Sequence, residues 1–397
     1  MVEGDSIRQR VRVLSFDDLA IELFTLSNGY EPRLAKADRL RNLISKAIET
    51  SGADQFREQF ISSEWDHVVD AWQLKSLEEY EIVPRIGRRQ RLSKTQRSKL
   101  WPIFEELIEL LSVSSHTTIA TVKNNISNYY KERDSKPFTH VIVDEAQDLS
   151  VPDIRVLSAI AQTSGNALFF AGDLGQRIFQ EPFSWMKLGI DVRGRSHTLK
   201  VNYRTSHQIR STIDRLLPEV LRDADGIESD RTGTVSIFNG PVPIVSIFSS
   251  VTEEDEVCKE VIEQWLKNGN NAGEIAVFVR DQSILHRARD IITNIGKEIV
   301  DLSRSSESGF SFDIDKINIG TMHQAKGMEF KSVLVMGCSD KYLPLEARID
   351  NARDVDELNS IIETERHLLY VAATRARENL VLTATSPASE FLEDLGD

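Results

Sequence analysis

Ile142-Val-Asp-Glu-Ala-Gln-Asp148 closes an apolar stretch on an acidic pair, Asp144-Glu145, and a second apolar stretch, Ala167 to Ala171, follows it. The spacing predicts strands over Thr139 to Val143 and Ala167 to Ala171. The helix between them, Val151 to Ala161, has Pro152 near its start, where a missing N–H costs nothing. Alternation of this kind builds parallel sheets that gather ligands at the carboxyl ends of their strands. Carboxylates placed there suit Mg²⁺ and can act as bases toward water, which is what transfer of a nucleotide's γ-phosphate asks of them. The phosphates ordinarily also need G-x-x-x-x-G-K-[ST]. Of 20 glycines only Gly296 precedes a lysine, with Glu298 where Ser or Thr should follow and Ile291 where the first glycine should stand. The chain reads as half of an ATP site.

At 397 residues, 40% hydrophobic and 28% charged, the chain is long enough for two or three domains with their own cores. Its apolar stretches, such as Ser332 to Cys338, are strand-sized, and Met-Val-Glu-Gly-Asp lacks the order of a signal peptide. A cytoplasmic protein with no membrane contact is expected. Cys258 and Cys338 are too few for a disulfide framework and lack zinc spacing, so both are expected in the core. A net charge of −14 excludes a uniformly basic nucleic-acid coat. The run from Arg85 to Lys99 departs from that balance: it carries Arg85, Arg88, Arg89, Arg91, Lys94, Arg97 and Lys99 and no acid. It is either a polyanion contact or a solvated face.

Val11 to Phe16 predicts a short buried strand running into a helix capped by Asp17 or Asp18. From about residue 31 to 134 helical periodicity takes over, and Trp65, Trp72 and Trp101 on amphipathic helices are expected to pack inward. A second α/β block follows. It has strands at Thr234 to Phe238, Val245 to Phe248, Ile275 to Val279, Ile317 to Ile319, Ser332 to Met336 and Leu380 to Thr383. The helices between them are expected at Glu253 to Lys267, Ser283 to Ile295 and Leu358 to Arg375. Ser303 to Phe310 reads as a loop.

Five stretches in order carry a further resemblance: the acidic pair; Ala171-Gly-Asp-Leu-Gly-Gln176; Val201-Asn-Tyr-Arg-Thr205; Gly320-Thr-Met-His-Gln-Ala-Lys-Gly-Met-Glu-Phe330; and Leu369-Tyr-Val-Ala-Ala-Thr-Arg-Ala-Arg377. Their order and spacing resemble motifs II to VI of the UvrD/Rep-type superfamily 1 helicases, and Val11 to Ala20 resembles motif Ib. The resemblance implies an α/β fold of two RecA-like P-loop-NTPase-type domains, the first N-terminally incomplete, with a mostly helical insertion. The implied boundaries are 1–30 with 136–198 for the first domain, 31–135 for the insertion and 199–397 for the second. It implies ATP-driven, 3′-to-5′ translocation on single-stranded or partly duplex DNA, with ATP and Mg²⁺ as cofactors.

By the same resemblance Asp144 holds Mg²⁺, Glu145 orients and deprotonates water, and Gln176 senses the γ-phosphate. Arg204 and Arg375 approach that phosphate, as an always-charged planar fork suits. Tyr203 stacks on adenine, and Gly327 and Glu329 belong to the nucleotide site, Glu329 at the ribose. Phe16, Thr321 and His323 are implied DNA contacts, joined by Arg88, Arg89 and Arg91 of the basic run. Where the family places a base-stacking aromatic, this chain has Gln180-Glu-Pro-Phe-Ser-Trp185, so Phe179, Phe183 and Trp185 are the candidates.

Outside this context Tyr203 is a core residue, Arg204 a surface ion pair and His323 a structural histidine; Arg377 is expected as a plain surface arginine. Two further readings follow from the missing loop: a split helicase whose P-loop comes from another polypeptide, and a non-hydrolysing DNA-binding or regulatory module. No Asp/Glu/His cluster outside these motifs suggests a nuclease.

Overall fold

The computed structural model describes residues 10–52, 56–83, 92–163, 165–178, 184–192, 194–222, 225–226, 228–303, 313–350, 352 and 355–396. The chain divides into two compact units. The first comprises Met1–Gly172, Gln180–Gly194 and Asp223–Asp225, and the second Asp173–Phe179, Arg195–Arg222 and Gly226–Asp397. Asp173–Phe179, in the stretch assigned from sequence to the first domain, thus groups with the second unit. Among the described residues no helix is long and apolar enough to cross a membrane.

The first unit opens with α1 (Phe16–Asn28), whose N-cap is Ser15, accepting from the Asp18 amide, and which ends at Gly29 in the left-handed region. Two expectations are corrected here. Asp17 and Asp18 lie inside the first turn and do not cap it. Val11 to Ser15 forms no strand, and Val13 is exposed. An alternating apolar segment becomes a strand only beside a partner, and no described strand pairs with it.

The helical insertion is present. It runs through α2 (Ala37–Ser51), α3 (Glu58–Glu64), a π turn (Trp65–Val69), α4 (Asp70–Trp72), α5 (Leu77–Ile82), α6 (Lys94–Val113) and α7 (Ile119–Lys131). Ser93 and Gln96 start α6 with a reciprocal capping box. Leu43, Ile44, Ile61, Trp65, Tyr80, Trp101 and Phe104 form its core, and Trp72 packs at the margin, so these tryptophans point inward as expected. Asp70 is buried beside it, accepting from Thr118 Oγ1 and Gln73 Nε2, both at 2.8 Å.

Beyond α7, β1 (Val141–Val143) and β2 (Leu168–Phe170) run parallel, with α8 (Val151–Ile160) between them in the chain. Val141, Val143, Leu168 and Phe170 face a core that includes Ile154, Leu157 and Trp185. Their other face is bare: register partners Ile142 and Phe169 are 76% and 62% exposed.

The second unit is built on a six-stranded all-parallel sheet whose strands lie in the order Ile244–Phe248, Ala376–Thr385, Phe330–Met336, Ile275–Val279, Lys316–Thr321 and Glu298–Asp301. Its strands are β7 (Ile244–Phe248), β8 (Ile275–Val279), β9 (Glu298–Asp301), β10 (Lys316–Thr321), β11 (Phe330–Met336) and β12 (Ala376–Thr385). Two short pairs precede it: β3 (Val201–Asn202) with β6 (Val235–Ser236), and β4 (Val220–Arg222) with β5 (Glu228–Asp230). Every position of β8 is buried because Ala276 and Phe278 face one core and Ile275, Val277 and Val279 the other. Helices α9 (His207–Ile213) and α12 (Val355–Ala373) cover the first face, and α10 (Val251–Lys267) and α11 (Leu285–Asn294) the second. Cys258 and Cys338 are buried free thiols in these cores, as expected. Gly296 and Lys297 belong to the turn that ends α11, with Gly296 at φ 76.

Candidate functional site

In the first unit, β1 delivers the chain directly into Asp144 and Glu145. Asp144 is exposed, and its Oδ1 accepts from the Glu145 amide at 2.9 Å. Glu145 is half-buried and held at φ 52, ψ 41, left-handed geometry that costs a residue with a Cβ roughly 1–2 kcal/mol. Its neighbours impose that geometry. The Ala146 amide donates to the Ala171 carbonyl at 2.8 Å and the Asp148 amide to the Glu145 carbonyl at 2.9 Å, while buried Gln147 donates through Nε2 to Glu145 Oε2. Gly172 closes against this turn. A Cβ there would lie 2.5 Å from Gln147 Oε1 and 3.1 Å from the Ala146 nitrogen, so a side chain would push the turn away. The acidic pair is therefore fixed by the ends of both strands.

Among the described residues no group of three or more His, Cys, Asp or Glu could hold a metal alone. A pair at a strand end still fits Mg²⁺, which takes one or two carboxylates and completes its shell with water and phosphate oxygens.

In the second unit, Asp173 caps the turn Leu174–Gln176, its Oδ1 accepting from the Gly175 amide at 2.9 Å and its Oδ2 from Gln176 Nε2 at 3.0 Å. That fixes the Gln176 amide so that Oε1 faces Arg375, whose Nη2 donates to it at 2.8 Å. Arg375 is 1% exposed and lies in the turn between α12 and β12, not on the helix as expected. Its Nε donates to the Val371 carbonyl at 3.0 Å and its Nη1 to the Met328 carbonyl at 3.3 Å, so the buried charge is well supplied with acceptors. Lys326 Nζ donates to the Gln176 carbonyl at 2.9 Å.

A second cluster in the same unit is exposed. Asn202 Oδ1 accepts from the amides of Arg204 (2.8 Å) and Thr205 (3.1 Å), an Asx turn that projects Tyr203, 67% exposed. Arg204 Nε pairs with Glu329 Oε2 at 3.1 Å, and Arg377 Nε with Glu329 Oε1 at 3.4 Å. Arg377, expected as a plain surface residue, thus joins Arg204 and Glu329. Gly327, at φ 75, turns the chain from Met322–Ala325 toward Glu329 and β11.

The residues expected at DNA are less uniformly displayed. His323 is half-buried, and burial, reinforced by the Arg280 guanidinium, pushes its pKa down to about 4, so it is neutral at pH 7 and offers a phosphate no charge. Arg280 itself is buried and donates through Nη2 to Glu365 Oε1 at 2.6 Å; Arg348 Nη1 reaches the same oxygen at 2.7 Å. Thr321 caps the turn carrying His323, its amide donating to Gln324 Oε1 at 2.7 Å. Phe16 is half-buried, with Lys123 Nζ 5.2 Å from its ring centroid. Trp185, a stacking candidate, is buried with its ring 4.8 Å from that of Phe170; the apolar core has taken up the surface a base would need.

Arg85, Arg88, Arg89, Arg91, Phe179 and Phe183 lie outside the described residues. Of the rest of the basic run, Arg97 donates through Nη1 to the carbonyls of Tyr80 and Glu81, and Lys94 pairs with Glu81 at 3.4 Å. Gln147, Gly172, Lys326 and Arg377 carry no role in the sequence reading. Spacing from Arg375 gave no signal for Arg377: Arg375 lies buried in the turn before β12, whereas Arg377, inside β12, is exposed.

Comparison with known proteins matches residues 8–181 to the UvrD/REP helicase N-terminal domain and residues 285–387 to the UvrD-like helicase C-terminal domain. A Mycoplasma pneumoniae protein described as "Probable DNA helicase" is 25% identical over 63% of this chain and 44% of its own length. The Mycobacterium tuberculosis ATP-dependent DNA helicase UvrD2 is 31% identical over 60% of this chain and 30% of its own. The Escherichia coli ATP-dependent DNA helicase Rep is 31% identical over 20% of this chain and 11% of its own. The chain spans less than half the length of each of these relatives. Both matched families are RecA-like α/β domains, in agreement with the parallel sheets of the two units. The chain belongs to the UvrD/Rep-type helicase family.

Proposed function

We propose that this chain carries most of the machinery of an ATP-dependent, 3′-to-5′ single-stranded DNA translocase and unwinding enzyme acting in the cytoplasm. The observation that carries the proposal is the Gln176–Arg375 hydrogen bond. Two residues 199 positions apart, both assigned by family resemblance to the γ-phosphate, meet within one compact unit. Glu145, preset beside exposed Asp144, supports the same reading for the acidic pair. Asp144 would hold Mg²⁺ through water, and the ion would supply positive charge to the phosphate oxygens. Glu145 would orient the attacking water and take its proton, Tyr203 would stack on adenine, and Arg204 would reach the phosphate after leaving Glu329.

We infer further that a segment bearing a phosphate-binding loop completes the site, whether it is joined to this chain or carried by another polypeptide. The bare Ile142 and Phe169 face supports this, since parallel sheets are ordinarily covered on both faces. A non-hydrolysing DNA-binding module is the rival.

The test is strand displacement by the chain supplied with such a segment, on duplexes carrying 3′ or 5′ single-stranded tails. ATP-dependent unwinding of the 3′-tailed duplex alone is expected. Tight DNA binding with no unwinding of either would favour the binding module, and unwinding from the 5′ tail would reverse the polarity.

A further inference from the structure

We propose that Arg377 is a positioning residue for the sugar of the bound nucleotide, acting through Glu329. The inference rests on reading the Tyr203, Arg204 and Glu329 cluster as a nucleotide site and adds to it a residue which that reading does not use.

The two oxygens of Glu329 are divided between two arginines. Oε2 takes Arg204 Nε at 3.1 Å and Oε1 takes Arg377 Nε at 3.4 Å, with all three side chains between 38% and 49% exposed. Ion pairs this open contribute little to stability, so the arrangement is not explained as a brace. It is a local excess of positive charge beside an exposed aromatic ring, which suits an aromatic ligand bearing an anion.

The two arginines are not equivalent. Arg204 sits on the Asx turn with Tyr203, and its assigned task requires it to leave Glu329 for a phosphate. Arg377 is anchored in the sheet. Its carbonyl accepts from the Ser206 amide at 2.9 Å, and the β11–β12 register pairs Phe330 with Ala376, which sets Glu329 and Arg377 one residue to either side of that pair. When Arg204 departs, Arg377 keeps Glu329 aimed, with Oε2 open to a ribose hydroxyl. A hydroxyl donating to a charged, oriented carboxylate discriminates against a sugar lacking it, because the carboxylate is then left without that bond. Without Arg377, departure of Arg204 strands the carboxylate, and its orientation is lost.

The experiment compares binding of ATP and 2′,3′-dideoxy-ATP to the 397-residue chain and its variants, by saturation-transfer NMR titration at millimolar nucleotide. Wild type should prefer ATP by roughly tenfold to a hundredfold, the value of one hydrogen bond to a charged acceptor. Arg377→Ala should reduce the preference to within about twofold, Arg377→Lys should keep most of it, and Arg377→Ala with Glu329→Gln should match Glu329→Gln alone. The readout is a ratio on one folded protein, so a general loss of affinity or stability does not imitate it. A wild-type preference that survives Arg377→Ala, or a wild type that binds both nucleotides equally, overturns the role of Arg377 and leaves the nucleotide site standing. A wild type showing no transfer to either nucleotide overturns the nucleotide reading of the cluster as well.

Discussion

Arg375 Nη2 lies 2.8 Å from Gln176 Oε1, and the same guanidinium donates to the carbonyls of Val371 and Met328. The arginine is thus a buried structural hub, and it is also the group that we propose reaches the phosphate. Arg375→Ala should destabilise the protein by about 3 kcal/mol, because several buried acceptors lose a charged donor together, and Gln176→Ala by about 1 kcal/mol. A double-mutant cycle by urea denaturation should return a coupling of about 1 kcal/mol or more. Additive effects would mean the two side chains do not act as a unit.

Gly172 tests the preset acidic turn. Gly172→Ala should cost about 1–3 kcal/mol, since the new Cβ meets Gln147 Oε1 and the Ala146 backbone. Alanine substitution at Gly29, where a Cβ meets nothing, should show only the penalty of its positive φ. Equal melting-temperature losses at both positions would show that the close approach at Gly172 is unimportant.

Asp70 gives a pH signature. Burial pushes its carboxyl up to about 7, against the hydrogen bonds from Thr118, Gln73 and Thr121. The folded state therefore favours the protonated acid, so this stability is fully present below the ordinary Asp pKa of about 4 and is lost as pH rises toward 7. Asp70→Asn should remove that decline. Relative to wild type, the variant should gain on the order of 3 kcal/mol between pH 4 and pH 8, read from denaturant midpoints. Parallel pH profiles for the two proteins would contradict a buried, proton-binding Asp70.

Much of this architecture could be read from residue order, and the exceptions have physical causes. β8 and the Val333 to Met336 part of β11 were legible because strands buried on both faces appear as unbroken apolar runs. β9, Glu298–Asp301, was not, since as an edge strand it mixes charged and apolar residues. Val11 to Ser15 has a strand's composition without a strand's partner. At the site, Glu145, Gln176, Arg204 and Arg375 are candidates by family resemblance, and their roles remain proposals. Pairwise facts were out of reach: that Arg377 shares Glu329, that Trp185 is buried against Phe170, and that burial holds His323 neutral.

The basic run is expected to bind single-stranded DNA. Replacing Arg88, Arg89 and Arg91 with alanine should weaken binding and lower the slope of log affinity against log salt by roughly 0.7 for each phosphate no longer neutralised. Because Arg97 is engaged by the Tyr80 and Glu81 carbonyls, Arg97→Ala should instead lower thermal stability with little change in slope. An unchanged slope in the triple variant would assign the run to a solvated face.

In the function proposed above, Asp144, Glu145, Gln176, Arg204 and Arg375 serve an ATP site, and the 397-residue sequence has no G-x-x-x-x-G-K-[ST] run to position the phosphates, on which phosphoryl transfer depends. The most direct measurement is steady-state ATP hydrolysis by the purified 397-residue chain with saturating single-stranded DNA, for wild type and Glu145→Gln. Negligible turnover is expected from both, and turnover by wild type alone once a phosphate-binding-loop segment is added. Robust DNA-stimulated hydrolysis by the unaided wild type, abolished by Glu145→Gln, would contradict that expectation and mean that residues within this chain already hold the phosphates.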